Sequence, residues 1–209
     1  MITGRVTFSA AVNAAVDLER LSNAIFVGEP PAGAPNSWGD PKRVTLPNSG
    51  LIVRISTIYW RDWTTDQSRL ELGPDIPVMI SSTDYFSGAD PFLKTILAFP
   101  RQTTFSDVLE NVARAGGGLK SILRLYYRQK TDPVSANEST EVALERLVGY
   151  LVSAKSYDEA LIIIKVNARE YPNSLSTALQ RLREAQEAEP NNAALSDLVK
   201  KVSDFKVSH

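Results

Sequence analysis

The chain of 209 residues is 43% hydrophobic and 22% charged, a composition ordinary for a folded protein with one core or two small ones. Its formal net charge is -1, so it has no excess of lysine and arginine to neutralise a phosphate backbone, and we expect no nucleic-acid partner. The absence of cysteine excludes disulfides, thiolate metal sites and a cysteine nucleophile. The only histidine, His209, is the last residue, so we predict no metal site, no histidine-based triad and no cofactor.

Membrane and export signals are also lacking in the sequence. No apolar run approaches the roughly 18 residues needed to cross a bilayer, so no transmembrane segment is predicted. The first residues lack the apolar stretch and small-residue cleavage site of a signal peptide, and the sequence therefore leaves the compartment open.

The first part of the chain predicts an α/β arrangement. Ile2 to Phe8 has the pattern of a strand, Ala10 to Leu21 that of an alanine-rich helix, and Ala24 to Val27 that of a second strand. Elements in this order form a βαβ unit, so we expect the two strands to be parallel. A loop rich in glycine and proline follows.

A β-hairpin is predicted next. Pro47-Asn48-Ser49-Gly50 separates two strand-like stretches at residues 43–46 and 51–60, and these residue types favour a turn. A further short strand is predicted at residues 76–81.

The chain changes character near Pro100. Asp90 and Pro91 predict a helix that runs to about Phe99, with aspartate as its cap and proline at its first position. Most prolines precede residue 101, and long stretches of helical periodicity follow it. We therefore predict a boundary at about residues 99–104.

The second part of the chain predicts amphipathic helices. Apolar residues at helical spacing in residues 144–151 and 157–168, separated by Lys155-Ser156, predict an antiparallel helix pair. Two further helices are predicted, one after Pro172-Asn173 and one after Pro190-Asn191.

This helix pair resembles a tetratricopeptide unit, in which a small residue, here Gly149, lets two helices pack closely and a proline, here Pro172, ends the second helix. Ala160 lies at the spacing from Pro172 that this pattern expects. The next Pro-Asn, at Pro190, comes well before the usual period of about 34 residues is complete. We therefore expect a degenerate array with a partly deleted second unit.

The predicted fold class is α/β, an incomplete βαβ-type sheet domain with a hairpin, followed by an all-α helical-hairpin tail. The predicted domains are a sheet domain at residues 1–99, a helical linker at residues 100–140 and the tetratricopeptide-like helices at residues 141–209.

Short motifs occur in a fixed order in the first part of the chain. They are Gly4-Arg5-Val6-Thr7-Phe8-Ser9-Ala10-Ala11, Ala24-Ile25-Phe26-Val27-Gly28-Glu29-Pro30, Leu46-Pro47-Asn48-Ser49-Gly50-Leu51, Pro74-Asp75-Ile76-Pro77-Val78 and Gly88-Ala89-Asp90-Pro91. Together they resemble the tail-specific, C-terminal-processing serine peptidases, in the branch related to the tricorn core. The resemblance covers about residues 1–98, which correspond to the C-terminal half of that family's domain.

The resemblance implies that Ser9 is the nucleophile and that the backbone N–H of Ala10 is one donor of the oxyanion hole. A serine between a strand and a helix is presented outward, and the free N–H groups and positive dipole of the first helical turn can stabilise an oxyanion. On sequence statistics alone, a serine before an alanine-rich helix is more often an N-cap than a nucleophile.

A general base is the missing part, since a serine hydroxyl is hardly ionised at neutral pH. In the lysine-dyad branch the base follows the glycine that corresponds to Gly33, where this chain has Ala34. In the tricorn-like branch the base is a histidine from the N-terminal half of the domain. Its supporting glutamate corresponds to Glu71 or a residue near it, and a solvated loop carboxylate is the alternative.

Substrate-binding residues are predicted in the loop after the second strand. The resemblance implies that Gly28, Gly33 and Trp38 line the substrate side of the site. Trp38 belongs to a run of aromatic residues with Tyr59, Trp60 and Trp63, which could line a peptide groove or pack in a core.

Two functions are therefore expected. The first is a serine-peptidase-related polypeptide, truncated and inactive alone, that acts on peptide or protein substrates when an upstream half-domain or a homo-oligomer completes it. The second is a non-catalytic helical-repeat module that binds other proteins. Relatives of the first kind are often exported.

Overall fold

The computed structural model describes residues 1–22, 24–61, 71–100, 104–131 and 139–206. The chain forms two compact units, unit 1 (Met1–Phe99) and unit 2 (Pro100–His209). The division falls where the sequence changes from short apolar runs to long helical periodicity. Unit 1 mixes strands and helices, whereas the described part of unit 2 is helical, so the coarse fold class is α/β followed by α.

Unit 1 combines a small parallel sheet, a separate hairpin and helices. Its elements are β1 (Ile2–Thr3), α1 (Ala10–Leu21), β2 (Val27–Gly28), β3 (Ser37–Thr45), β4 (Ile52–Trp60), β5 (Ile76–Pro77), α2 (Ser82–Ser87) and α3 (Pro91–Ala98). The sheet order is β1-β2-β5, and both pairings are parallel. The pairing of β1 with β2 across α1 agrees with the parallel βαβ arrangement expected from the sequence.

The strands of this sheet are shorter than predicted. The first strand ends at Thr3 because Gly4 to Thr7 forms a turn, in which the Thr7 N–H donates to the Gly4 carbonyl at 2.8 Å. The strand predicted at residues 76–81 likewise ends at Pro77, and the short helix α2, which the sequence analysis misses, begins soon afterwards. A capping box between Ser81 and Asp84 starts that helix.

Helix α3 begins as the sequence predicts. The Asp90 side chain accepts the Leu93 N–H at 2.9 Å, and Pro91 occupies the first helical position, where its missing N–H removes no helical hydrogen bond.

The core of unit 1 is small. Phe26 and Leu72 are fully buried against Ala15 of α1, and Ala24 packs on this cluster. Asp75 is also buried, and its Oδ2 accepts the Phe26 N–H at 2.8 Å, which ties β5 to β2. The buried carboxylate thus accepts a hydrogen bond from a backbone N–H that would otherwise be buried without an acceptor.

The hairpin β3–β4 stands apart from this core. Its strands are antiparallel, with Trp38 opposite Tyr59 and Val44 opposite Val53. Both strands are exposed along almost their whole length, including most of their large apolar side chains. Of the alternatives for the aromatic run, burial in a core is wrong for Trp38 and Trp60, which are both exposed, whereas Trp38 packs on Tyr59 across the hairpin. Trp63 lies outside the described residues.

Unit 2 is a stack of packed helices. They are α4 (Phe105–Arg114), α5 (Leu119–Thr131), α6 (Thr140–Ser153), α7 (Tyr157–Glu170), α8 (Ser174–Ala188) and α9 (Ala193–Ser203). Helix α6 packs against α7, α8 packs against both, and α9 packs against α7 and α8. Consecutive helices thus form two hairpins, α6–α7 and α8–α9, stacked on each other.

Two details of the tail differ from the sequence predictions. The two helices predicted after Pro172 and Pro190 pair with each other as a complete second hairpin, so the expectation of a partly deleted second unit is wrong. Gly149 is not a point of close helix contact, since a Cβ at that position would meet no neighbouring atom within 4 Å. Fully buried Leu147 and Ala160 supply apolar contacts in this hairpin instead.

The segment predicted as a linker takes part in unit 2. Helix α4 packs against α6, and α4 also contacts α5. An ion pair between Arg146 and Asp107, at 3.0 Å, adds to the α4–α6 contact. Within the described residues, no helix is long and apolar enough to span a membrane.

Candidate active site around Ser9

Ser9 has an unusual backbone conformation. It precedes α1 with φ 54° and ψ -123°, and the Ala11 N–H donates to the Phe8 carbonyl at 3.2 Å. These values place Ser9 at the first central position of a type II′ turn, which favours glycine because a Cβ is strained at positive φ. The serine therefore sits on a sharp, strained turn between a strand segment and a helix.

This conformation distinguishes Ser9 from other residues at helix starts. Ser139 and Ser156 also lack a capping hydrogen bond, but their φ angles of -62° and -86° are ordinary. Asp40 and Lys155 also have positive φ, but aspartate tolerates such angles and Lys155 directly follows the end of α6, where helices often adopt them.

The hydroxyl of Ser9 does not act as an N-cap. Its side chain makes no capping hydrogen bond, whereas Asp90 caps α3 and Thr104 caps α4. Ser9 is exposed to solvent. The N-cap alternative therefore accounts for the position of Ser9 but not for its side chain.

The first turn of α1 supplies backbone donors beside Ser9. The Val12 and Asn13 N–H groups donate back to the Ser9 carbonyl at 2.9 and 3.2 Å. Among the described residues, the Ala10 N–H has no acceptor, and Ala10 is exposed. A free N–H at a helix start, next to an exposed serine, can stabilise negative charge on an oxygen bound to that serine.

Gly33 lies against the Ser9 turn. A Cβ on Gly33 would be 3.0 Å from Val12 Cγ2, 3.4 Å from Phe8 Cδ2 and 3.7 Å from the Ser9 nitrogen. The preceding Ala32 N–H donates to the Thr7 carbonyl at 3.0 Å, which holds this loop beside the turn. The structure thus brings Gly33 beside Ser9, although Gly33 lies more than twenty residues further along the sequence.

Gly28 has a place in the sheet. It is buried in β2, its φ is 127°, and a Cβ there would lie 2.2 Å from the Thr3 carbonyl oxygen. The close approach of two strands explains this glycine, so a direct contact with substrate is not needed to account for it.

Trp38 and Glu71 lie elsewhere in unit 1. Trp38 is on the exposed hairpin, where its ring centroid is 5.1 Å from that of Tyr59. Glu71 is exposed and directly precedes buried Leu72 in the segment that leads to β5. No described contact joins either side chain to Ser9.

Glu29 is the residue near this site that the sequence analysis passes over. Its carboxylate is buried at the start of the Gly33 loop, and its Oε1 lies 3.4 Å from Nε of Arg5. One sequence feature could have identified it: Glu29 directly follows an apolar strand, within a motif already noted for the resemblance. A buried carboxylate requires a charged or hydrogen-bonding partner, and Arg5 supplies one.

Unit 2 contains a second candidate site. A groove of about 330 Å³ has an apolar floor of Val148, Val152, Leu182 and Ala185. Gly149 opens this groove because it has no side chain, and Arg181 and Glu189 are among its charged lining residues. The groove is large enough for one or two side chains of a partner.

Comparison with protein-family models, curated proteins and solved structures finds no significant match to this chain.

Proposed function

We propose that unit 1 is the C-terminal part of a serine hydrolase of the tail-specific peptidase type, an incomplete βαβ sheet domain in which Ser9 is the nucleophile. The observation that carries the proposal is the strained turn that presents Ser9. Strained serines at a sharp turn before a helix are typical of nucleophile elbows, where the turn exposes Oγ. Oγ would attack the carbonyl carbon of a peptide bond, and the resulting oxyanion would accept the Ala10 N–H.

A base must remove the hydroxyl proton as Oγ attacks. The loop that packs on Ser9 has alanine at position 34, where the lysine-dyad branch has its base. The only histidine, His209, lies outside the described residues. We therefore propose that a complementing polypeptide supplies the base and the second oxyanion donor.

The surface of unit 1 supports a complementing partner. Val6 is 95% exposed and Phe8 is 64% exposed, directly before Ser9, and Phe86 and Leu97 are also largely exposed. Exposed large apolar side chains support the proposal because such side chains occur on surfaces that another polypeptide covers. The substrate class that this proposal implies is an extended or C-terminal peptide segment.

Fluorophosphonate labelling of the full chain tests the proposal. Because position 34 lies next to the glycine that packs on Ser9, Ala34→Lys is expected to provide a base and to give labelling that Ser9→Ala abolishes. Ala34→Met, which has similar length but no amine, is the matched control and is expected to give no labelling. Failure of the folded Ala34→Lys variant to label, both alone and with a complementing half-domain, would remove Ser9 as a nucleophile.

A second function is carried by the groove of unit 2. We propose that stacked hairpins with an open apolar groove bind a partner's side chains as a protein-interaction module. Binding of an array of extended peptides to the full chain tests this, with Gly149→Phe to fill the groove. Peptide binding that is lost in Gly149→Phe and kept in Ser9→Ala would favour the module, whereas binding kept in both would exclude the groove.

A further inference from the structure

We infer that Glu29 is a positioning residue that holds the Ser9 turn in its strained conformation. The inference rests on the proposed role of Ser9 as nucleophile. Glu29 is only 7% exposed, yet it carries a carboxylate, and Arg5 pairs with it from the turn that precedes Ser9. A buried carboxylate is energetically costly unless it is paired, so the position of Glu29 constrains the position of Arg5.

The main chain of Glu29 is anchored to β1. Its N–H donates to the Thr3 carbonyl at 3.1 Å, and the Thr3 hydroxyl donates to the Glu29 carbonyl at 2.9 Å. The Glu29 side chain then reaches Arg5, two residues further along. Because its backbone cannot shift without breaking these two hydrogen bonds, Glu29 is a fixed point for the residues that follow Thr3.

The contacts continue from Glu29 to the nucleophile. Beyond the Arg5 ion pair, the Ala32 N–H binds the Thr7 carbonyl, and Gly33 then packs on Ser9. The segment at residues 29–33 thus contacts residues 3–9 at successive points along both segments. A strained residue persists only where surrounding contacts over-determine its conformation, and this series of contacts meets that condition.

A purely structural role for Glu29 makes a different prediction. In that case, loss of the carboxylate lowers the stability of unit 1 by the same factor whatever residue stands at position 9. If Glu29 instead enforces the strain, loss of its carboxylate lets the turn relax. A substitution that relieves strain at position 9 then raises the stability of unit 1 by less than it does in the wild type.

The test is a double-mutant cycle of Ser9→Gly and Glu29→Gln in the full chain. All three tryptophans precede residue 100, so urea unfolding followed by tryptophan fluorescence reports on unit 1. Glycine accepts positive φ, so Ser9→Gly is expected to raise the ratio of folded to unfolded protein about fivefold. In the Glu29→Gln background the gain is expected to fall below roughly twofold.

Asp17 and Arg20 provide the matched control. This ion pair has the same separation of 3.4 Å and lies on α1 in the same unit. Asp17→Asn is expected to leave the gain from Ser9→Gly unchanged. Equal gains in the wild-type and Glu29→Gln backgrounds would overturn the inference.

Arg5→Met keeps the test decisive if Glu29→Gln does not fold. The Arg5 side chain is 72% exposed, so its replacement leaves no cavity, but it removes the partner of Glu29. The same loss of gain at position 9 is expected, and a full gain would again overturn the inference. The cycle needs no catalysis. If Ser9 is labelled but the energetic coupling between positions 9 and 29 is absent, only the role of Glu29 is rejected. If the coupling is present but Ser9 is not labelled even with a complementing half-domain, only its role as nucleophile is rejected.

Discussion

The two units bury their apolar residues to very different extents. Unit 2 encloses whole helix faces, and Leu109, Leu147 and Leu182 are almost completely buried. Unit 1 has a small cluster around Phe26, while the hairpin leaves Leu51 64% exposed. Leucine is thus a core residue in one unit and a surface residue in the other.

This difference indicates where each unit obtains its stability. The helices of unit 2 each bury one face against neighbours from the same unit, which is the main source of stability for short helices. A two-stranded hairpin is at best marginally stable in water, and β3–β4 has both faces exposed. Unit 1 therefore leaves apolar side chains exposed on the hairpin and beside Ser9, whereas unit 2 buries most of its own.

The largest effect is expected from Gly28→Ala in unit 1. The new methyl group would overlap the Thr3 carbonyl oxygen at 2.2 Å, and alanine would be strained at φ 127°. We expect a loss of about 4 kcal/mol or more, which unfolds unit 1. Tryptophan fluorescence measures this loss. Gly4→Ala is the control, since a Cβ there meets nothing within 4 Å, and a comparable loss in both variants would refute the explanation.

A matched pair of leucines tests the contrast in burial. Leu147→Ala removes a side chain that is 0% exposed and is expected to cost about 2 to 5 kcal/mol in unit 2. Leu51→Ala, at the exposed hairpin, is expected to change the stability of unit 1 by no more than about 0.5 kcal/mol. Urea unfolding followed by circular dichroism at helical wavelengths and by tryptophan fluorescence measures the two effects. Similar losses would contradict the contrast.

Tyr126 gives unit 2 a dependence on alkaline pH. Burial, aided by the charge of Glu170, raises the pKa of Tyr126 to about 12 from the ordinary value of 10.0. The folded state therefore keeps the phenolic proton to higher pH than the unfolded state. The contribution of this proton to the stability of unit 2 is therefore complete below pH 10 and is lost as the pH rises through 12.

Tyr126→Phe is expected to reduce the fall in unit 2 stability across this interval, by at most about 1.4 kcal/mol per pH unit. Urea unfolding at a series of pH values measures the slope. Tyr150→Phe, which removes the hydroxyl of a tyrosine on α6 of the same unit, serves as the control. Equal slopes in the wild type and the Tyr126→Phe variant would argue against the raised pKa.

The smallest effect is expected from Gly149→Ala. Glycine in a helix interior is less favourable than alanine by about 0.5 to 1 kcal/mol, and the added methyl group meets no neighbour within 4 Å. We therefore expect a gain of this size in the stability of unit 2, measured by thermal unfolding. A loss would indicate a close helix contact at Gly149, as the sequence analysis supposed.

Local patterns in the sequence were sufficient for much of the fold. The Pro47 to Gly50 turn predicts the hairpin, Asp90 and Pro91 predict the start of α3, and the apolar spacing predicts α6 and α7. Each of these signals acts between neighbours in the chain. Capping, turn formation and helical periodicity are therefore readable in the sequence without knowledge of distant contacts.

Only the tertiary structure decided what happens where distant segments meet. The sequence places a serine before a helix, but the positive φ of Ser9 accompanies the packing of a loop more than twenty residues away. The burial of Glu29 depends on its contacts with β1, and the opening at Gly149 depends on how α8 crosses α6. These features arise from long-range backbone and side-chain packing, which local propensity does not encode.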